Sequence, residues 1–136
     1  MYEYEIKQVI KVIDGDTVDV MFDVGFSMFR KERVRLNRID APQMAAKDPR
    51  EKQLALDAKE FVAKWLGAQK TLRGRTTKDD KYGRILTDIY GDGDESLNEQ
   101  MVRLGYAWEY DGGTKRNDFT SLIERREATS TETKSN

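Results

Sequence analysis

The stretch "VIDGDTVDVMFDVG", Val12 to Gly25, decides the fold. Its Asp14–Gly15 pair is a favoured two-residue hairpin turn. After the turn, polarity alternates with period two. Val18, Val20, Phe22 and Val24 fall on one face, and Asp19, Met21 and Asp23 on the other, which predicts a half-buried strand. Upstream, "YEYEIKQVIKVI" is rich in β-branched and aromatic residues and reads as the partner strand. Downstream, Gly25 permits a second reversal. "MFRKERVRLNRI" then continues as a third strand, with Val34 and Leu36 pointing one way and Arg33 and Arg35 the other.

Beyond the strands, Leu54, Ala58, Phe61, Val62, Trp65 and Leu66 recur at helical spacing. Asp48 as N-cap, Pro49 at the first helical position and Glu51 three residues after the cap open that helix, and Gly67 is expected to end it. "KTLRGRTTK" and "RILTDIYGDG" read as two further strands around the turn "DDKYG". Ser96 and Glu99 form a capping box for a second helix, which carries Leu97, Met101 and Leu104 and stops at Gly105. "YAWEYDGG" reads as an aromatic loop. "NDFTSLIERRE" reads as a short third helix built on Phe119, Leu122 and Ile123, and "ATSTETKSN" as a polar, disordered tail. The order is that of an α+β protein: one domain over 1–127, a tail over 128–136, and a small five-stranded Greek-key barrel of the OB-fold kind with about three helices.

The 136-residue chain has 24 Lys and Arg against 25 Asp and Glu. A net charge of −1 gives no global reason to expect a polyanionic partner, so any such argument rests on local clustering. Cysteine and histidine are both absent. That removes disulfides, thiolate nucleophiles, imidazole bases and the usual zinc sites. What remains for chemistry near neutral pH is carboxylates, Arg, Lys, Tyr, hydroxyls and a metal held through oxygen, which favours Ca²⁺ or Mg²⁺. No apolar run reaches the ~20 residues of a membrane span. The opening residues lack the pattern of a signal peptide, so a cytoplasmic protein with no membrane association is expected.

Three motifs carry candidate chemistry. In "DGDT" the plain reading is a hairpin turn; the functional one makes Asp16 a metal ligand at a barrel mouth. In "RVRLNRIDAPQ", Arg30, Lys31, Arg33, Arg35 and Arg38 against Glu32 give about +4 within nine residues. Arg35 would grip a phosphate with its planar guanidinium, and Asp40 would be a second metal ligand with the Ala41 carbonyl beside it. In "DKYGR", Arg84 would be a second phosphate clamp, with Lys81 and Tyr82 contacting backbone or base.

Taken together and in this order, "VIDGDTV", "RLNRIDAP", "DKYGR" and "GYAWEYDGG" resemble the staphylococcal nuclease (thermonuclease) family. The resemblance runs from about Val12 to Gly113. It implies an OB-fold barrel with three helices and a Ca²⁺-dependent hydrolysis of phosphodiester bonds in DNA and RNA, with single-stranded or locally open substrate and a monomer expected. Metal-ligand positions fall on Asp16, Asp40 and Ala41, arginine clamps on Arg35 and Arg84, and substrate contacts on Lys81, Tyr82 and Tyr110. One position departs: the glutamate that follows the proline in that family is Gln43 here.

A general base is worth a factor of about 10²–10⁴, whereas enzymes accelerate their reactions by ~10⁶ or more. A protein that keeps the metal and both arginines would therefore be slowed but active, with a metal-activated water that Gln43 positions without deprotonating. The alternative is a non-catalytic nucleic-acid-binding module that stacks bases on Tyr82, Tyr106, Trp108 and Tyr110.

Overall fold

The computed structural model describes residues 2–79, 83–111 and 118–134. In chain order the described elements are β1 (Tyr2–Asp14), β2 (Thr17–Gly25), β3 (Met28–Leu36), β4 (Ile39–Asp40), α1 (Pro49–Ala68), β5 (Arg73–Asp79), β6 (Ile85–Tyr90), α2 (Leu97–Arg103), β7 (Trp108–Glu109) and α3 (Phe119–Lys134).

Five of the strands close a barrel in the order β1-β2-β3-β6-β5. The alternation in β2 does what it predicts: Val18, Val20 and Phe22 are buried, as are Val34, in register with Val18, Leu36 at the end of β3 and Ile89 on β6. Each large apolar side chain buried in this way contributes about 1.5–3 kcal/mol. β1 has three register shifts against β2. Bulges of this kind bend a strand, and β1 reaches round to pair with β5 at Tyr2 to Glu5. β3 and β6 meet in parallel over three pairs, Val34↔Ile85, Arg35↔Leu86 and Leu36↔Thr87. A parallel partner needs a long connection, and α1 with β5 supplies it. α1 buries Leu54, Ala55, Ala58, Val62 and Leu66, and Asp48 caps it by accepting from the Arg50 amide at 2.9 Å. This is the expected five-stranded barrel with three helices.

Several boundaries move. The first hairpin loop is Gly15–Asp16, because pairing runs on to Asp14↔Thr17. Gly15 is needed for close packing: a Cβ there would stand 2.8 Å from the Ala58 Cβ and 2.9 Å from the Ala41 Cβ. α1 passes through Gly67 and ends at Ala68, with Gln69 as its cap. The aromatic loop holds a two-residue strand, β7, paired with β4 as Ile39↔Glu109 and Asp40↔Trp108. α3 continues beyond the expected boundary at 127 to Lys134. Its early turns are docked, with Leu122 fully buried, and a docked start carries a helix into a sequence of modest propensity.

The second hairpin turns at Phe26–Ser27, where φ is +56° and +61°. A two-residue loop with both φ positive normally takes Asn-Gly, and a bulky residue there is strained. Replacing Phe26 with Asn and Ser27 with Gly is expected to raise stability by about 1 kcal/mol. The check is a higher urea midpoint at unchanged m.

Candidate active site

The barrel brings three charged side chains from separate elements to one place. Asp16 comes from the β1–β2 loop, Arg35 from the end of β3 and Asp40 from β4, and all three are buried. The Arg35 guanidinium spans the two acids, with Nη1 at 3.3 Å from Asp16 Oδ2 and Nη2 at 3.3 Å from Asp40 Oδ1. Both carboxylates therefore face one point.

Backbone contacts fix this arrangement. The Leu36 amide donates to the Asp16 carbonyl at 2.8 Å, which ties the loop to β3. The Ala41 amide donates to Asp16 Oδ2 at 3.0 Å, which ties the residue after β4 to the same acid. The Thr17 hydroxyl donates to Asp16 Oδ1 at 3.0 Å. Asp14 Oδ1 accepts from the Asp16 amide at 3.1 Å, an Asx-turn that sets the loop backbone. Thr17 escaped the sequence reading, although its place directly after the loop aspartate was a usable signal. Asp40 is braced by β7, whose Trp108 ring is buried, donates to the Asp118 carbonyl at 2.9 Å and packs on Phe119.

Gln43 points its amide nitrogen at the Ala41 carbonyl, donating at 2.9 Å. Arg84 lies one residue before β6, directly preceding Ile85, which is in register with Val34. Lys81 and Tyr82 lie outside the described residues. Tyr110 follows β7 and is tied to β4 by its amide, which donates to the Arg38 carbonyl at 2.8 Å. It lines a cleft of about 1440 Å³ together with Arg38, Asn98, Arg103 and Arg125, and Asp16, Arg35 and Asp40 are not part of that lining. Two aromatics considered for base stacking are used internally. Trp108 is buried, and the Tyr106 ring stacks on Phe61 at 4.4 Å and faces the Arg126 guanidinium at 4.2 Å.

Asp14, at the end of β1, and Asp16, in the loop, are pushed apart in acidity. Burial, then hydrogen bonding and repulsion from Asp16, raises Asp14 to about 7. For Asp16, burial alone would favour the neutral acid. The hydrogen bond from Asp14, the Arg35 charge, the Ala41 amide and Thr17 outweigh it and hold Asp16 below the usual carboxylate range. The folded protein thus binds the Asp14 proton more tightly than the unfolded chain does. The resulting stability is fully present below 3.8 and is lost as pH rises through about 7. Asn at position 14 keeps a donor toward Asp16 and an acceptor for its amide. Asp14→Asn is therefore expected to flatten that decline, gaining on the wild type as pH rises, when urea unfolding is followed in chelator.

The donors suit a hard cation. They are two buried carboxylates, one charge of which Arg35 balances, with the Ala41 carbonyl adjacent. No group of three or more acids that could hold a metal occurs among the described residues. A cation here would draw on the pair, the carbonyl and water.

Residues 33–136 match the family pattern described as staphylococcal nuclease homologue. The chain belongs to the staphylococcal nuclease family. The stretch matched to the nuclease family holds Arg35, Asp40, Gln43 and Arg84, and the fold adds Asp16 from outside it. An uncharacterized endonuclease of Escherichia coli is 36% identical over 104 residues, which cover 76% of this chain and 60% of that protein. The probable staphylococcal-like nuclease CAN1 of Oryza sativa subsp. japonica is 40% identical over 81 residues, covering 60% of this chain and 22% of its own. The uncharacterized protein MJ1439 of Methanocaldococcus jannaschii is 28% identical across 91% of this chain and 68% of its own. This staphylococcal nuclease family member thus spans about three fifths of its Escherichia coli relative, the 60% given above.

Proposed function

We propose that this protein is a Ca²⁺-dependent nuclease that hydrolyses phosphodiester bonds of single-stranded or locally open DNA and RNA, with Mg²⁺ as the other cation its donors admit. The observation that carries this reading is the convergence of Asp16 and Asp40 on the Arg35 guanidinium. Two buried acids beside an arginine repel a phosphate unless a cation accompanies it, so a module built only to bind nucleic acid has no use for them. Asp16, Asp40 and the Ala41 carbonyl would hold the cation. Bound there, it would offset charge on the phosphate and acidify the attacking water.

The chain's own residues do the rest. Arg35 and Arg84 would take the phosphate oxygens, where negative charge accumulates during in-line attack. Asp16 is kept ionised by the groups around it and is held in one rotamer by the Ala41 amide and the Thr17 hydroxyl. Gln43 orients the Ala41 carbonyl and offers an amide oxygen to a water, which positions the water without removing its proton.

The test is incubation with denatured DNA and with RNA in Ca²⁺, in Mg²⁺ and in chelator, with Arg84→Ala as the guard against contaminating nuclease. Cation-dependent cleavage that vanishes in the variant supports the reading. Tight binding without cleavage at any cation concentration supports the binding module instead.

A further inference from the structure

The nuclease reading uses Arg35 from the cationic stretch and leaves Arg30, Lys31 and Arg33 without a task. The fold shows where they go. β3 pairs with β6 at Val34, Arg35 and Leu36, while its pairing with β2 extends to Met28. Beyond Val34, β3 therefore runs on past the β6 contact as the edge strand of the β1–β2–β3 layer, and only the hairpin tip after Asp23 extends beyond the pairing of β1. The β2–β3 register is unbroken from Thr17↔Arg35 to Asp23↔Phe29. Alternation then places Arg35, Arg33, Lys31 and Phe29 on one face, opposite the face that carries buried Val34 and Leu36.

Successive side chains on that face stand about 6.6 Å apart, so the row leads some 20 Å from the Arg35 clamp to Phe29. Lys11, Lys31 and Arg33 surround Asp19, three cations to one acid. Arg33 already pairs with Asp19, at 2.8 and 3.1 Å. That pair is exposed, and exposed pairs exchange partners at little loss. Nearer the tip this face carries two further acids, Asp23, which accepts from the Gly25 amide at 2.9 Å, and Glu5 of β1, in register with it.

The hairpin ends in apolar side chains. Phe26 is 98% exposed, Met28 60% and Phe29 50%. Cations on an unpaired edge are a common guard against edge-to-edge association. A guard does not explain three large apolar groups within four residues. Nor does it explain a phenylalanine held at φ +56° in a turn that Asn-Gly serves better.

We propose that this outer face is a docking track for the single strand that flanks the cleaved bond. Phosphates lie on Arg33, Lys31 and Lys11, and a base stacks against the Phe26, Met28 and Phe29 tip. The direction of the track from Arg35 rests on the nuclease reading. The clustering of Lys11, Lys31 and Arg33 at the Arg35 end of the face supports a polyanion, the two-residue period suits a repeating one, and apolar side chains at the end of a cationic row are what stacked bases use.

The test uses a labelled oligothymidylate long enough to reach from Arg35 to the tip, and a thymidine dinucleotide that cannot. Two tip variants are compared with wild type: Phe29→Ala, and Phe26→Asn with Ser27→Gly, which keeps the turn. Each is expected to bind the long probe about tenfold more weakly and to cleave the dinucleotide at an unchanged rate. Lys31→Ala with Arg33→Ala is expected to weaken long-probe binding and to make its log–log salt dependence shallower by about 0.7 per cation removed.

Unchanged long-probe affinity in both tip variants overturns the track. So does a tip that drives binding to phosphatidylserine vesicles, or self-association, without affecting the oligonucleotide. Tip-dependent binding by a wild type that cleaves neither probe keeps the track and removes the nuclease reading. Dinucleotide cleavage with a silent tip does the reverse.

Discussion

Replacing Arg35 with alanine is expected to lower the rate of phosphodiester cleavage by about 10³-fold or more, the range seen when a guanidinium that stabilises a transferring phosphate is lost. The same change is expected to destabilise the protein in chelator by about 3–5 kcal/mol, because it strips two buried carboxylates of their shared counter-charge. The two effects separate on adding Ca²⁺. A cation bound by Asp16 and Asp40 can take over the guanidinium's role as counter-charge, whereas it cannot replace an arginine clamp on the phosphate. Ca²⁺ should therefore raise the thermal midpoint of the variant by more than that of the wild type, while the rate stays low. Equal midpoint shifts in the two proteins would show that the acids do not hold the cation. A full rate in the variant would remove Arg35 from the mechanism.

Gln43→Glu is expected to raise the cleavage rate, by up to about 10²-fold, the lower end of what a positioned general base contributes. The gain is limited for a reason visible in the structure. Gln43 donates to the Ala41 carbonyl, and a carboxylate cannot. Glutamate at 43 would place negative charge beside that carbonyl oxygen and turn away from it, surrendering the contact that orients it. Rate measured against pH separates the outcomes, since an acting carboxylate adds an ionisation at the acidic end of the profile that the wild type lacks. An unchanged or lower rate, with no new ionisation, would show that orienting Ala41 matters more than deprotonating water.

Much of the fold was legible because local signals agreed with one another. The period-two run in β2, the Asp48–Pro49 helix start and the Ser96–Glu99 box each matched their final elements. What failed was governed by tertiary contact. Gly15 reads as a turn-former, yet its service is to let α1 and Ala41 approach, which no local pattern encodes. The two residues of β7 become a strand because β4 lies beside them, and their own sequence looks like any aromatic loop. The carboxylate–guanidinium cluster was legible as residue types in order. Its bracing by the neighbouring Thr17 left a local signal, whereas that by the Ala41 amide left none, since it joins positions 16 and 41 across the chain.

The seam between β3 and β6 has a consequence for how the protein comes into being. It joins residues 34–36 to residues 85–87 through three parallel pairs, and Arg35 is the middle one. Contacts so distant in sequence form late, after the entropy of closing the intervening chain has been met. A nascent chain emerging in order would carry Asp16, Arg35 and Asp40 long before it has the strand that sutures Arg35 in place. Competence should switch on when the last stave of the barrel arrives, so that an unfinished copy is inert.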